Sequence, residues 1–208
     1  MKLKFNYLVL IITLILFISC DSKSEPSYIG TLLDNHDSYK FSLNDHSDRL
    51  IDSGNHGSNV AILTFMFTEC TDVCPILTHN IKKALNEIPQ KNEIPIIIVS
   101  VDPENDSIQN MKQFVSKWDL TSNWSFITGS SGELDRIWGS YFINPQKSGK
   151  HTEGGIKGIN SALVESQTVI HSSPVYILDK EGTARVVHTN PINPTSLAHD
   201  IAQMNKYD

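Results

Sequence analysis

The chain has 208 residues and 39% hydrophobic content, enough for one ordinary core plus an extension. Its formal net charge is −6, and no stretch gathers Lys and Arg into the basic face that nucleic acid requires, so nucleic acid is excluded as a partner. In chain order, Lys2 and Lys4 precede an apolar run from Leu8 to Ile18, broken by Thr13. That run is shorter than the roughly 20 residues of a spanning helix, and a basic start followed by a short apolar run is a processing signature.

The run ends in Leu16-Phe17-Ile18-Ser19-Cys20, followed by the polar stretch Asp21-Ser22-Lys23-Ser24-Glu25-Pro26-Ser27. This pattern resembles a bacterial lipoprotein signal, in which the cysteine after a small residue is lipidated and becomes the mature N-terminus. The resemblance implies a signal segment over residues 1–20, lipidation at Cys20, a flexible tether over 21–28 and one domain over 29–208. It also implies a domain outside the cytoplasm, on the periplasmic face, anchored to a membrane by lipid. With Cys20 carrying lipid, Cys70 and Cys74 are left as a pair in an oxidising compartment.

Residues 39–43 and 49–51 read as a β-hairpin capping the domain, with Asn44-Asp45-His46-Ser47-Asp48 as its turn. An apolar run at about 59–67 predicts a buried strand, and Ile76, Leu77, Ile81, Ala84, Leu85 and Ile88 predict a helix over about 74–88. The continuous β-branched run Ile94 to Val101 suits a parallel strand covered on both faces. A helix follows over Ser107 to Leu120, then a strand over Trp124 to Ile127 and a helix over Ser131 to Tyr141. Residues 142–168 lack periodicity and contain four glycines, which marks a long insertion. Strands at about 174–179 and 183–189, joined by Lys180-Glu181-Gly182, and a helix over Pro194 to Met204 close the chain. This order predicts an α/β, thioredoxin-like fold with an N-terminal hairpin and an insertion before the last two strands.

Cys70 and Cys74 fall at the first strand-to-helix junction, the sheet edge where α/β folds carry their sites. Thiols near a helix N-terminus face unpaired N–H groups and the positive end of the dipole, both of which favour thiolate. A structural disulfide is a weak alternative, because closing so small a loop restricts the unfolded chain by only about 2 kcal/mol. Two thiolates do not complete a metal site, and a soft ion such as Cu(I) takes two sulfurs and an imidazole. Of the eight histidines, His36, His46, His56, His79 and His199 read as solvated surface residues, while His151 and His188 have no placing argument. His171 stands just before the strand at Val175, in the loop that thioredoxin-like folds lay opposite the cysteine turn, which makes it the leading candidate for a third ligand.

Three segments together resemble the Sco/SenC proteins: Phe67-Thr68-x-Cys70-x-Asp72-Val73-Cys74-Pro75, Ser100-Val101-Asp102-Pro103-x-x-Asp106, and His171-Ser172 followed by Tyr176-x-x-Asp179-x-x-Gly182. The likeness runs from about residue 30 to the C-terminus. It implies a copper-binding protein that delivers copper, as Cu(I) or Cu(II), to the Cu(A) centre of a cytochrome c oxidase subunit or to another exported cuproprotein. It also implies copper ligands at Cys70, Cys74 and His171. Thr71 replaces the proline usual after the first cysteine, and Ile170 replaces the acidic residue usual before the histidine, which takes away a carboxylate partner for the imidazole.

Two other functions use the same residues. A thiol–disulfide oxidoreductase would use Cys70 and Cys74 as a catalytic redox dithiol on exported proteins and would not need His171. A peroxide-reducing thiol enzyme would need a Thr/Arg pair around Cys70, for which Thr68 with Arg136 or Arg185 are the residues to check.

Overall fold

The computed structural model describes residues 26–34, 36, 38–58, 60–89, 91–147 and 169–207. The signal segment, Cys20, most of the tether and residues 148–168 of the insertion, with His151, lie outside the described residues. The elements run β1 (Thr31–Leu32), β2 (Ser42–Asn44), β3 (Leu50–Asp52), β4 (Ala61–Met66), α1 (Val73–Asn86), a short 3-10 turn (Lys91–Glu93) and β5 (Ile96–Ser100). They continue with α2 (Ile108–Lys117), β6 (Trp124–Ile127), α3 (Ser131–Ser140), β7 (Gln146–Lys147), β8 (Val169–Ile170), β9 (Val175–Leu178), β10 (Ala184–His188) and α4 (Pro194–Tyr207).

Every residue of β4, β5, β6 and β9 is buried. Both side-chain parities being covered means that both sheet faces are packed, which is why these strands read as unbroken apolar runs rather than alternating ones. The sheet order is β1-β10-β9-β4-β5-β6. β4, β5 and β6 run parallel, whereas β9 runs antiparallel to β4, with Val175 opposite Thr64. This mixed order is the thioredoxin-like arrangement expected from the sequence. It also brings the loops after β4 and β5, and the loop before β9, to one edge of the sheet.

α1 turns Cys74, Leu77, Thr78, Ile81, Ala84 and Leu85 inward and packs against α4. Burying each large aliphatic side chain on that stripe is worth about 1.5–3 kcal/mol, so tertiary packing rather than helix propensity holds the helix. The hairpin β2–β3 caps the sheet as expected, with Asp45 bridging to Ile127 at the β6 edge. At Gly182 the backbone φ is +73, and an added Cβ would lie 1.8 Å from the Ser53 carbonyl oxygen. The β9–β10 turn therefore seats on the hairpin only with glycine there.

Some expectations are corrected. β1, β7 and β8 were not anticipated, because two residues leave no periodic signal. β7 pairs with β8, Gln146 opposite Ile170 and Lys147 opposite Val169, so the insertion has an ordered stem that ends next to His171. His46 is not solvated: it is buried, and its Nδ1 accepts the Phe126 N–H at 3.2 Å, because the hairpin turn folds over β6. His188 is also buried, with Nε2 3.0 Å from the Asp200 carboxylate. No helix among the described residues is long and apolar enough to cross a membrane.

Candidate functional site

After β4 the chain turns through residues 67–72 and enters α1. Cys70 lies half-buried in the turn, Cys74 is fully buried in the first turn of the helix, and both are free thiols. Helix starts leave N–H groups without partners, and a side-chain oxygen usually takes them. Asp72 occupies the N-cap position, but its side chain makes no cap bond. The sulfur of Cys70 takes that role, accepting the Cys74 N–H at 3.3 Å together with the N–H groups of Asp72 and Val73.

The two thiols are consequently unlike each other. The Cys74 thiol donates its proton to the Cys70 sulfur, and this bond, with the backbone donors, overcomes burial and pushes Cys70 down to about 6. The same bond, burial and the nearby charge of Asp106 push Cys74 far above the ordinary thiol range. Helix-start activation therefore applies to Cys70, whereas Cys74 keeps the proton that the pair shares. Cys70 precedes the helix and Cys74 lies in it, since α1 begins at Val73.

Asp106, in the loop after β5, fastens the cysteine turn from below. Its Oδ1 accepts the Thr68 N–H at 2.8 Å and the Thr68 hydroxyl at 2.6 Å, and its Oδ2 accepts the Ser100 hydroxyl at 2.5 Å. Despite these donors, burial pushes Asp106 up to about 6. Desolvation, with the charge of nearby Asp102 behind it, thus outweighs three hydrogen bonds. Sequence reading noted the Ser100 to Asp106 motif without a role for it. The available signal was an acidic residue closing a six-residue loop beside the site.

His171 lies half-buried in the four-residue loop before β9. Thr64, wholly buried in β4, donates its hydroxyl to the Pro174 carbonyl at 2.8 Å and ties that loop to the strand that leads to the cysteines. The imidazole packs edge-on against Phe67, ring centres 5.8 Å apart. Its Nδ1 lies 2.6 Å from the Ser172 carbonyl oxygen. A carbonyl can only accept, so Nδ1 carries the proton and Nε2 keeps the lone pair that a metal would need. The Ser172 carbonyl thus fixes which ring nitrogen carries the proton. Burial holds the imidazole below its usual range, opposed by that hydrogen bond, which favours the neutral, ligating form.

Cys70, His171 and Phe67 line one cavity of about 440 Å³, together with Val73 and Ile170. The structure thus brings Cys70 and Cys74 into contact and places Cys70 and His171 on one cavity wall. Among the described residues no three His, Cys, Asp or Glu side chains are close enough to hold a metal ion. The arginines that peroxide chemistry would need are elsewhere: Arg136 stacks on Tyr39, Arg185 pairs with Asp179, and neither lines the cavity.

A family model described as SCO1/SenC matches residues 31–206. Among curated proteins, the SCO1 protein homolog of Bacillus subtilis is 29% identical over 59% of this chain and 58% of its own length. The chain spans 50% to 64% of the length of the first curated relatives it matches. Among solved structures, Bradyrhizobium japonicum ScoI with copper bound has a TM-score of 0.64 and 22% identity, covering 80% of this chain and 98% of that one. A SCO1/SenC family lipoprotein from Bacillus anthracis also has a TM-score of 0.64, with 23% identity over 84% of this chain and 99% of that one.

Proposed function

The chain belongs to the SCO1/SenC family, and we propose that it carries copper outside the cytoplasm and delivers it to the Cu(A) centre of a cytochrome c oxidase subunit or to another exported cuproprotein. The observation that carries this reading is the cavity itself. A sulfur held toward thiolate by the Cys74 thiol and helix N–H groups shares that cavity with an imidazole whose Nδ1 proton is committed to a carbonyl. Copper is cargo here: Cys70 and Cys74 supply soft sulfur, and His171 supplies the nitrogen that Cu(II) prefers. Binding takes the Cys74 proton and draws the His171 loop toward the sulfurs. The domain is held at the membrane by lipid on Cys20 through the tether of residues 21–28, in keeping with the signal-like segment and with a lipoprotein among the family's solved members.

The test is copper uptake by the full chain. Reduced protein takes up about one copper, as one set of ligands permits, and protein with Cys70 and Cys74 joined as a disulfide takes up little. Equal uptake by the disulfide form sinks the proposal. Intact-mass analysis tests the anchor, since Cys20→Ala should abolish lipidation.

Dithiol exchange is the second reading, and the unequal cysteines favour it. An accessible low-pKa sulfur beside a buried, protonated one has the division of labour of an attacking and a resolving thiol. Oxidase activity in cells separates the two functions. Copper delivery predicts that His171→Ala loses oxidase assembly at low copper, whereas pure dithiol exchange predicts full rescue by His171→Ala and loss only with Cys70→Ser or Cys74→Ser.

A further inference from the structure

We propose that the mouth of the Cys70–His171 cavity is a docking surface for a protein client that presents an apolar segment flanked by basic side chains. The inference rests on the delivery role above and names the chemistry of the partner that role requires. Val73, at the first position of α1, is 39% exposed, and Ile170, at the end of β8, is 62% exposed; both line the cavity. Ile76, three residues on from Val73 and hence on the same helical stripe, is 59% exposed. The inward face of this helix turn is already filled by Cys74 and Leu77, so Val73 and Ile76 serve no core. Single exposed aliphatic residues need no explanation. Exposed aliphatic residues that two separate elements, α1 and β8, contribute to the cavity lined by Cys70 make a patch with a purpose.

Among the described residues the charge on this lining has one sign: Glu69 and Asp72 line the cavity and are exposed, and no Lys or Arg does. An apolar centre with a charged, solvated edge is the layout of a protein interface. An acidic edge steers basic partners in and repels acidic peptides and anionic small thiols.

The probes are four short peptides, each carrying one cysteine as a mixed disulfide with thiopyridine. The flanks are leucines or serines, and each version ends in two lysines or two glutamates. The Cys70 thiolate attacks the peptide sulfur, a Cys70–peptide disulfide forms, the thiopyridine bond breaks, and thiopyridone leaves and is read by absorbance. Rates on the reduced full chain are normalised to iodoacetamide, a neutral reagent for the same sulfur. The leucine–lysine peptide should react at least about tenfold faster than the serine–glutamate one, with a gap that narrows in salt. Val73→Ser with Ile76→Ser should erase the preference for leucine, and Glu69→Gln with Asp72→Asn the preference for lysine. Equal rates for all four peptides, or preferences that survive both double substitutions, overturn the proposal. So does a preference that appears only when residues 148–168 are replaced by a short Gly-Ser linker, because the occupant is then this chain's own segment. Copper uptake by the same proteins keeps the two ideas apart. Uptake without peptide preference removes the docking surface alone. Preference without uptake removes copper delivery and leaves the surface serving thiol exchange.

Discussion

The two halves of the site are held by different means. The cysteine half is built from neighbours in the chain: residues 67–72 turn out of one strand, the Cys70 sulfur caps the helix that follows, and Asp106 clamps Thr68 from the adjoining loop. The histidine half is a four-residue loop tied at its far end by Thr64, with the ring bonded to its own loop carbonyl rather than to the cysteines. The cysteine half is the more organised of the two, tied by bonds within its turn and from the adjoining loop, whereas Thr64 ties the histidine half at one end.

The largest expected effect falls on the organised half. Cys70→Ser or Cys74→Ser should weaken Cu(I) binding by at least about 100-fold, measured by competition with a chelator, because each removes a charged soft ligand. His171→Ala should lose most Cu(II) binding, since the harder ion wants nitrogen, while Cu(I) is still held loosely by the two sulfurs. If His171→Ala is the more damaging for Cu(I), the two halves are not ranked as the geometry ranks them.

Cys74 carries a second measurement. Alkylation of Cys70 in the native chain should follow a titration with its midpoint near 6. Cys74→Ala, which unlike serine leaves no side-chain donor, removes the main cause of that low value, so the midpoint should rise. An unmoved midpoint would mean that the backbone N–H groups alone set it. Cys70 is an acid whose folded pKa is depressed, so its stabilising contribution is present above the ordinary thiol range and is lost as pH falls through about 6.

Asp106→Ala leaves the Thr68 N–H and the Ser100 hydroxyl without an acceptor in a buried loop, at a cost of about 1–3 kcal/mol. Calorimetry should show Tm lower by roughly 2–4 °C for each kcal/mol. Its pH dependence has the opposite sign to that of Cys70. A carboxyl raised to about 6 by burial contributes fully below the usual carboxylate range and costs stability as pH rises through about 6. Asp106→Asn should flatten that slope. The smallest effect belongs to Thr64→Val, which deprives the Pro174 carbonyl of its donor. It should cost about 1 kcal/mol and lower copper affinity through the His171 loop without touching Cys70 alkylation.

The sequence by itself determined the buried strands of the sheet and the place of the two cysteines. β4 and β5 announce themselves because strands covered on both faces must be apolar throughout. Cys70 and Cys74 fall at a strand-to-helix junction that local periodicity alone locates. His171 was legible only in combination, as a histidine just before a returning strand. Nothing local shows which ring nitrogen carries the proton, because the Ser172 carbonyl takes its position from the loop. Tertiary structure alone decided what separates the two thiols, since burial and a shared proton depend on what packs around each sulfur. It alone decided the clamp as well. Thr68 and Asp106 are 38 residues apart in the chain, and they meet because β4 and β5 lie side by side and parallel, with their loops at one edge. His46 shows the same limit: a hairpin turn reads as solvated until the strand beneath it supplies a backbone N–H and a cover. Local sequence encodes period and turn, whereas desolvation and long-range hydrogen bonds belong to the assembled molecule.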